Sequence, residues 1–291
     1  MAIAKRIFLF IAVNMLIMLM LNIVLGVLNA MGFRVYGQSY GALMLFSLVW
    51  GMGGAFISLL LSKTIAKWSM GVRLVEMTTA SAQQRSLVAV VTTLAERAGL
   101  PRTPEVGVYD SEEVNAFATG PTKSRALVAV SSGLLNRLSR DQIEAVLGHE
   151  ITHIANGDMV TMTLLQGIVN AFVIFFSRIV AIFVGNQVEG RNRWMVEFAT
   201  SIVLQIALGF LGSIVVCYFS RKREFRADAG GARLAGRQKM IDALRALGQT
   251  RELVAVDQQA VASLKIAGRG GMTRLFMTHP PLEERIAALN R

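Results

Sequence analysis

His149-Glu150-Ile151-Thr152-His153 places two imidazoles and a carboxylate at a spacing that can build a zinc-hydrolase centre. Residues four apart share one face of a helix, so both rings can point at one ion. Glu150 sits one step round the same turn, where it can reach a water on that ion without ligating it, the arrangement used in metalloproteases. The chain has only three histidines, so two of them at this spacing carry weight.

The spacing matters only on a helix, and the flanking residues predict one. Ser139-Arg140-Asp141-Gln142 reads as a capping box. Apolar residues recur at Ile143, Val146, Leu147, Ile151 and Ile154 with helical periodicity, and Asn156-Gly157 supplies the stop. Asp141 and Glu144 argue that this helix does not cross a bilayer.

A catalytic zinc takes three protein ligands, so one donor is missing. Asp158 is near, but the short motif that recruits a nearby third ligand needs glycine where Asn156 stands, which leaves Asp158 as a solvated or structural acid beyond the helix end. Glu224 and Asp228, four apart in Arg223-Glu224-Phe225-Arg226-Ala227-Asp228, offer a carboxylate for the metal and a second to hold a ligand histidine by its free N–H. From spacing alone, Glu224 pairing with its basic neighbours on a solvated helix is an equal alternative.

Around these residues the chain is unusually apolar. It has 291 residues, 53% of them hydrophobic and 17% charged, and a mean hydropathy of +0.50, which indicates a membrane protein. The net charge of +11 invites a nucleic-acid reading. The basic residues, however, cluster beside the apolar spans, at Lys5-Arg6 and Arg221-Lys222-Arg223, where they suit anionic lipid headgroups, so no nucleic-acid partner is expected. The lone Cys217 allows no intrachain disulfide and reads as packing.

Residues 7–30 are long enough to span and exceed the apolar core of a signal peptide, so they predict an uncleaved anchor. A second span covers about 41–62, with Gly51, Gly53 and Gly54 available for close helix packing. A third apolar stretch, 164–184, is interrupted by Gln166, Asn170 and Arg178, and a fourth covers about 198–219. These last two either cross the bilayer or form a hairpin. Lys5 and Arg6 before the first span, and Lys63, Lys67 and Arg73 after the second, put the N-terminus and the region after Ser62 in the cytoplasm.

The domain expectation is therefore 1–62 for two transmembrane helices, 63–160 for the first part of a cytoplasmic domain, 161–219 for two more apolar helices, and 220–291 for the domain's second part. In the soluble part, Ala82 to Ala98 reads as a helix. Strands are predicted at Glu105 to Tyr109, Asn115 to Thr119 and Ala126 to Ser131. Further helices are predicted at Arg223 to Leu234, Lys239 to Leu247 and Pro281 to Leu289.

Taken together, Val114 to Gly120, His149 to Asp158, Arg223-Glu224-Phe225 with Ala227-Asp228, and Thr278-His279-Pro280-Pro281 resemble the HtpX family of bacterial membrane metallopeptidases, related to the CAAX prenyl proteases. The resemblance covers essentially the whole chain. It implies a mainly α membrane protein with an α+β zincin-like (gluzincin) catalytic domain, and a small β-sheet edge beside the metal helix. It also implies one zinc ion per chain held by His149, His153 and Glu224, with Asp228 as outer acid. The implied setting is the bacterial inner membrane with the active site facing the cytoplasm, and the implied task is quality control of membrane proteins.

Peptide hydrolysis needs a second donor for the developing oxyanion, and His279 is the only histidine left for it. A packing role before Pro280-Pro281 is an equal alternative. Asn115, Ala116, Phe117, Ala118 and Thr119 can form an edge strand that receives membrane-protein or unfolded polypeptide substrates by strand addition, although Phe117 also suits a core. A metal-dependent membrane scaffold or zinc-handling protein is the non-enzyme alternative. It should place its ligands at mid-membrane depth rather than in charged segments.

Overall fold

The structure, a computed structural model, describes residues 40–257 and 274–291; the first expected span, 7–30, lies outside them. In chain order the elements begin α1 (Tyr40–Met70), β1 (Arg73–Leu74), α2 (Ala82–Arg97), β2 (Glu105–Tyr109), β3 (Ala116–Thr119), β4 (Leu127–Ser131) and α3 (Ser132–Arg137). They continue with α4 (Arg140–Asn156), α5 (Asp158–Gly185), a short 3-10 turn, α6 (Arg193–Ala235), α7 (Arg237–Asp257) and α8 (Leu282–Leu289). Among the described residues three helices, within α1, α5 and α6, are long and apolar enough to cross a membrane.

The chain divides into two compact units. Of the described residues, one comprises those up to Ile57 with Leu164–Gly212; the other comprises Ser58–Thr163 with those from Ser213 onward. In the first, small residues bring apolar helices together: a Cβ on Gly51 of α1 would lie 2.4 Å from the backbone nitrogen of Ala171 on α5. On α6, a Cβ at Gly212 would lie 2.5 Å from Val169 of α5. Among the described residues nothing lies within 4 Å of a Cβ built on Gly53.

The second unit has a four-stranded sheet in the order β1-β2-β4-β3. β2 and β4 are parallel, while β1 and β3 run antiparallel to their neighbours and form the two edges. β4 is buried along its whole length, as its unbroken Leu-Val-Ala-Val run requires. α2, α4 and α7 supply the rest of the core, with Val91 and Leu94, Leu147, Ile151 and Ile154, and Met240 and Leu244 packed together. Each such side chain stabilises the fold by about 1.5–3 kcal/mol. α4 lies against β3, α2 and α7, so the helix with both site histidines is held from several sides.

Two findings differ from the sequence reading. The fourth apolar stretch and the expected helix from Arg223 are one 43-residue helix, α6, because no proline intervenes and its glycines keep helical backbone until Gly236, where φ is 110°. One residue of the basic cluster expected at lipid headgroups, Arg221, is engaged within the protein, donating to the carbonyls of Leu275 and Met277. Lys63 and Lys67 donate to Glu105 at 2.6 and 2.8 Å.

Candidate active site

The metal helix starts and stops as its sequence dictates. Ser139 Oγ accepts the Gln142 N–H at 3.3 Å, and Gln142 Oε1 accepts the Ser139 N–H at 2.9 Å. At the other end Gly157, at φ 71°, closes α4 in the left-handed conformation that favours glycine. Asp141 and Glu144 on the first turns pair with Lys239 of α7 at 2.7 and 2.6 Å. His149 and His153 are buried on one face with ring centroids 4.6 Å apart, and their Nε2 atoms are separated by 3.1 Å.

Glu224 reaches this pair because α6 crosses α4 at glycines. A Cβ on Gly230 would lie 2.2 Å from Thr152, and one on Gly231 would lie 2.9 Å from the backbone nitrogen of His149. Glu224 is fully buried; Oε2 lies 3.5 Å from His149 Nε2 and Oε1 lies 3.4 Å from His153 Nε2. Four ligands around a tetrahedral zinc with bonds of about 2.0–2.1 Å stand roughly 3.3–3.4 Å apart, so the spacing of these three donors suits such an ion.

Each donor is held from behind. His149 Nδ1 lies 2.9 Å from Asp228 Oδ1, and His153 Nδ1 lies 2.6 Å from Asp158 Oδ2. Carboxylates only accept, so both rings donate through Nδ1 and turn Nε2 lone pairs toward each other. Two facing lone pairs beside a carboxylate oxygen repel unless a cation lies among them, and among the described residues Glu224 Oε1 has no hydrogen-bond partner, with Arg223 Nε 3.6 Å away. Every charged side chain among the described buried residues belongs to this cluster: Asp158, Glu224, Asp228 and Arg285. Three carboxylates against one guanidinium leave two negative charges, which a divalent ion neutralises. The residues therefore fit a metal ion.

The same field governs protons. Burial by itself would lower the pKa of His149, but hydrogen bonds to Asp228 and Glu224 outweigh it and raise the value above the ordinary imidazole range. Burial also opposes charge on His153, and the bond to Asp158 together with the adjacent Glu224 carboxylate overcomes it, lifting the ring to about 9. Glu150 adds to both through space. In the absence of metal, the 3.1 Å gap between the Nε2 atoms accommodates one shared proton.

Of the residues singled out from the sequence, His149, His153, Glu224, Asp228 and His279 come together here. Glu150 follows His149 on α4 and is half-buried. His279 places Nδ1 2.8 Å from Glu224 Oε2 while half of its side chain stays exposed, so one nitrogen serves the ligand carboxylate. Arg221 of α6 fixes the approach to His279 by donating to the carbonyls of Leu275 and Met277 at 3.1 and 2.7 Å.

Of the two roles expected for Asp158, solvated or structural acid, the burial fits the second: it is 3% exposed and bonded to His153. Arg285 escaped the sequence reading altogether. It holds Asp228 through Nε at 2.7 Å and Nη2 at 2.5 Å. Glu283-Glu284-Arg285 reads as a charged surface, although Arg285 shares the stripe of Leu282 and Leu289 at i−3 and i+4, a signal that it faces inward.

β3 is the sheet edge beside this helix. Asn115 exchanges bonds with Ser131 of β4, its carbonyl accepting the Ser131 N–H at 2.9 Å and its own N–H donating to Ser131 Oγ at 3.1 Å. By alternation Phe117 and Thr119, opposite Ala129 and Leu127, also turn their backbone groups to β4. The backbone groups of Ala116 and Ala118 then face the free edge. Phe117 is half-buried against Tyr109, with ring centroids 5.8 Å apart, so its side chain packs within the sheet.

Comparison with known proteins agrees with this geometry. The sequence profile of Peptidase family M48 matches residues 81–291. Protease HtpX of Shewanella halifaxensis is 51% identical over 291 residues, covering 98% of this chain and 99% of its own. A Protease HtpX homolog of Bacillus licheniformis is 50% identical over 293 residues, 98% of each chain. In fold, the crystal structure of S. mikatae Ste24p aligns over 99% of this chain with a TM-score of 0.64 at 21% identity. This chain spans 64% of that longer one.

Proposed function

Because the chain belongs to peptidase family M48, we propose that it is a membrane-anchored zinc endopeptidase that hydrolyses peptide bonds in misfolded or damaged membrane proteins. The observation that carries this reading is the convergence of His149, His153 and Glu224 from two helices, with Glu150 on the same turn as the histidines. One zinc ion per chain is the metal that two imidazoles and a carboxylate favour. When bound, it supplies Lewis acidity, polarising a carbonyl and lowering the pKa of water to about 7.

The side chains supply the rest. Glu150 is the general base: its carboxylate takes a proton from the attacking water and returns it to the leaving amide nitrogen. His149 and His153 are held in one tautomer by Nδ1 donation, so each offers Nε2. His279 orients Glu224 through Nδ1 and leaves its exposed ring edge for the substrate side. The β3 edge, through the N–H and C=O groups of Ala116 and Ala118, receives an extended substrate, and backbone pairing of this kind accepts many sequences, as expected of an enzyme that clears damaged proteins.

The site faces the cytoplasm of a bacterial inner membrane in this reading, supported by Lys63, Lys67 and Arg73 after one span and Arg221 to Arg223 on α6. Casein digestion by detergent-purified protein tests the activity. Cleavage abolished by a chelator and restored by zinc is expected; chelator-resistant cleavage, or none from zinc-loaded protein, would count against it, and zinc flux in liposomes would favour the zinc-handling alternative.

A further inference from the structure

We propose that Asp158 is the positioning residue of His153, fixing that ring with Nδ1–H toward the acid and Nε2 toward the metal, as Asp228 does for His149. The proposal rests on the metal-site reading above. Its geometric basis is the 2.6 Å approach of Asp158 Oδ2 to His153 Nδ1, shorter than the 2.9 Å of the Asp228 pair.

A continuous helix could not make this contact. At about 100° per residue, a position five beyond His153 lies some 140° round the helix from it. Gly157 breaks the path: its left-handed backbone ends α4 and restarts the chain as α5, and Asp158, the first residue of α5, turns back onto the last turn of α4. Lys123 reinforces the join by donating from Nζ to the Ala155 carbonyl.

The alternative role for Asp158 is that of an acid favourably placed at a helix N-terminus. That role alone asks for no side-chain partner, whereas Asp158 is 3% exposed and its Oδ2 is committed to the ring. A buried carboxylate here without a partner would be costly. The bond to His153 supplies that partner and at the same time fixes which ring nitrogen carries hydrogen.

The test compares the full-length parent with Asp158→Asn, Asp158→Ala and His153→Ala in detergent. It measures zinc affinity by competition with a chromogenic chelator and histidine tautomers by nitrogen NMR, which is tractable because the chain has three histidines. Asp158→Ala is expected to weaken zinc binding by about 10–100-fold and to release His153 from its single tautomer. Asp158→Asn retains an acceptor without the charge and should lose less, about threefold or more. It also decides the matter if the alanine variant does not fold. Zinc affinity within about twofold of the parent in the folded variants, with the His153 tautomer unchanged, overturns the proposal. A parent that binds no zinc, or a His153→Ala variant that binds it equally well, overturns the metal-site reading and this proposal with it.

Discussion

Gly231 of α6 lies directly on His149 of α4: a Cβ at position 231 would stand 2.9 Å from the His149 backbone nitrogen and 3.2 Å from its Cα. The absence of a side chain there lets α6 come close enough for Glu224, seven residues earlier, to share one point with the two imidazoles. Replacing Gly231 with valine should separate the helices. We expect a stability loss of about 1–3 kcal/mol from overpacking, together with loss of stoichiometric zinc, read by thermal unfolding and metal analysis of the same preparation. Retention of full zinc occupancy would show that the helix approach is not what sets the ligand distance.

Glu150→Gln should keep zinc at parental stoichiometry, because the side chain stays half-buried and is not among the three converging donors. Turnover of an unfolded substrate should fall by about 100- to 10,000-fold, the range for removal of a general base. Near-parental turnover by metal-loaded variant protein would assign the proton transfer to another group.

Arg285 and Asp228 form a doubly bonded buried pair, 7% and 1% exposed. Arg285→Ala leaves the Asp228 charge answered only by His149, and breaking such a pair costs about 3–5 kcal/mol. A marked fall in melting temperature is therefore expected, with weaker zinc retention because His149 loses its fixed support. Lysine at 285 restores the charge but not the two parallel bonds, so it should rescue only in part. Equal stability of parent and alanine variant would place the energetic weight elsewhere.

The metal-free protein should lose stability as pH rises. His153 has a folded pKa of about 9 against an ordinary value of 6.5, so its contribution is complete below 6.5 and disappears as pH climbs through 9. That difference corresponds to about 3 kcal/mol. Zinc competes with the same proton, so metal affinity should rise over the window in which metal-free stability falls. Thermal unfolding at several pH values, with and without zinc, measures both; a metal-free protein equally stable at pH 6.5 and 9 would contradict the buried proton.

The membrane unit makes a separate prediction. Leucine at Gly51 would meet the Ala171 backbone, where even a Cβ would come within 2.4 Å of the nitrogen. Separation of α1 from α5 should appear as lost crosslinking between cysteines introduced on these two helices, while leucine at Gly53, which meets none of the described residues within 4 Å, should leave it intact.

Elements encoded by neighbouring residues were readable in advance. The capping box at Ser139, the stop at Gly157, the strand at Ala126 to Ser131 and the apolar stretches all depend on residues a few positions apart. The His149, Glu150 and His153 set belongs to the same class, since a single helix face displays it. What escaped the reading depended on partners distant in the chain: Arg285 looks like one charge of an acidic and basic helix until Asp228 is beside it, and Arg221 looks like a headgroup contact until the carbonyls of Leu275 and Met277 are beside it. Asp158 is a different case, because its role turns on the direction of a glycine turn that residue types alone do not specify.

The sequence by itself determined that this is an apolar, multi-span chain with a helix able to present two imidazoles and a base to one ion, because helical periodicity and capping act over single turns. Only the tertiary structure brings Glu224, 71 residues beyond His153, to the two imidazoles in a group able to hold a metal ion, with three carboxylates and one guanidinium around it. The physical reason is that a metal site is an agreement among charges in space. Spacing along the chain cannot report how closely two helices meet, and here glycines at 148, 230 and 231 set that distance.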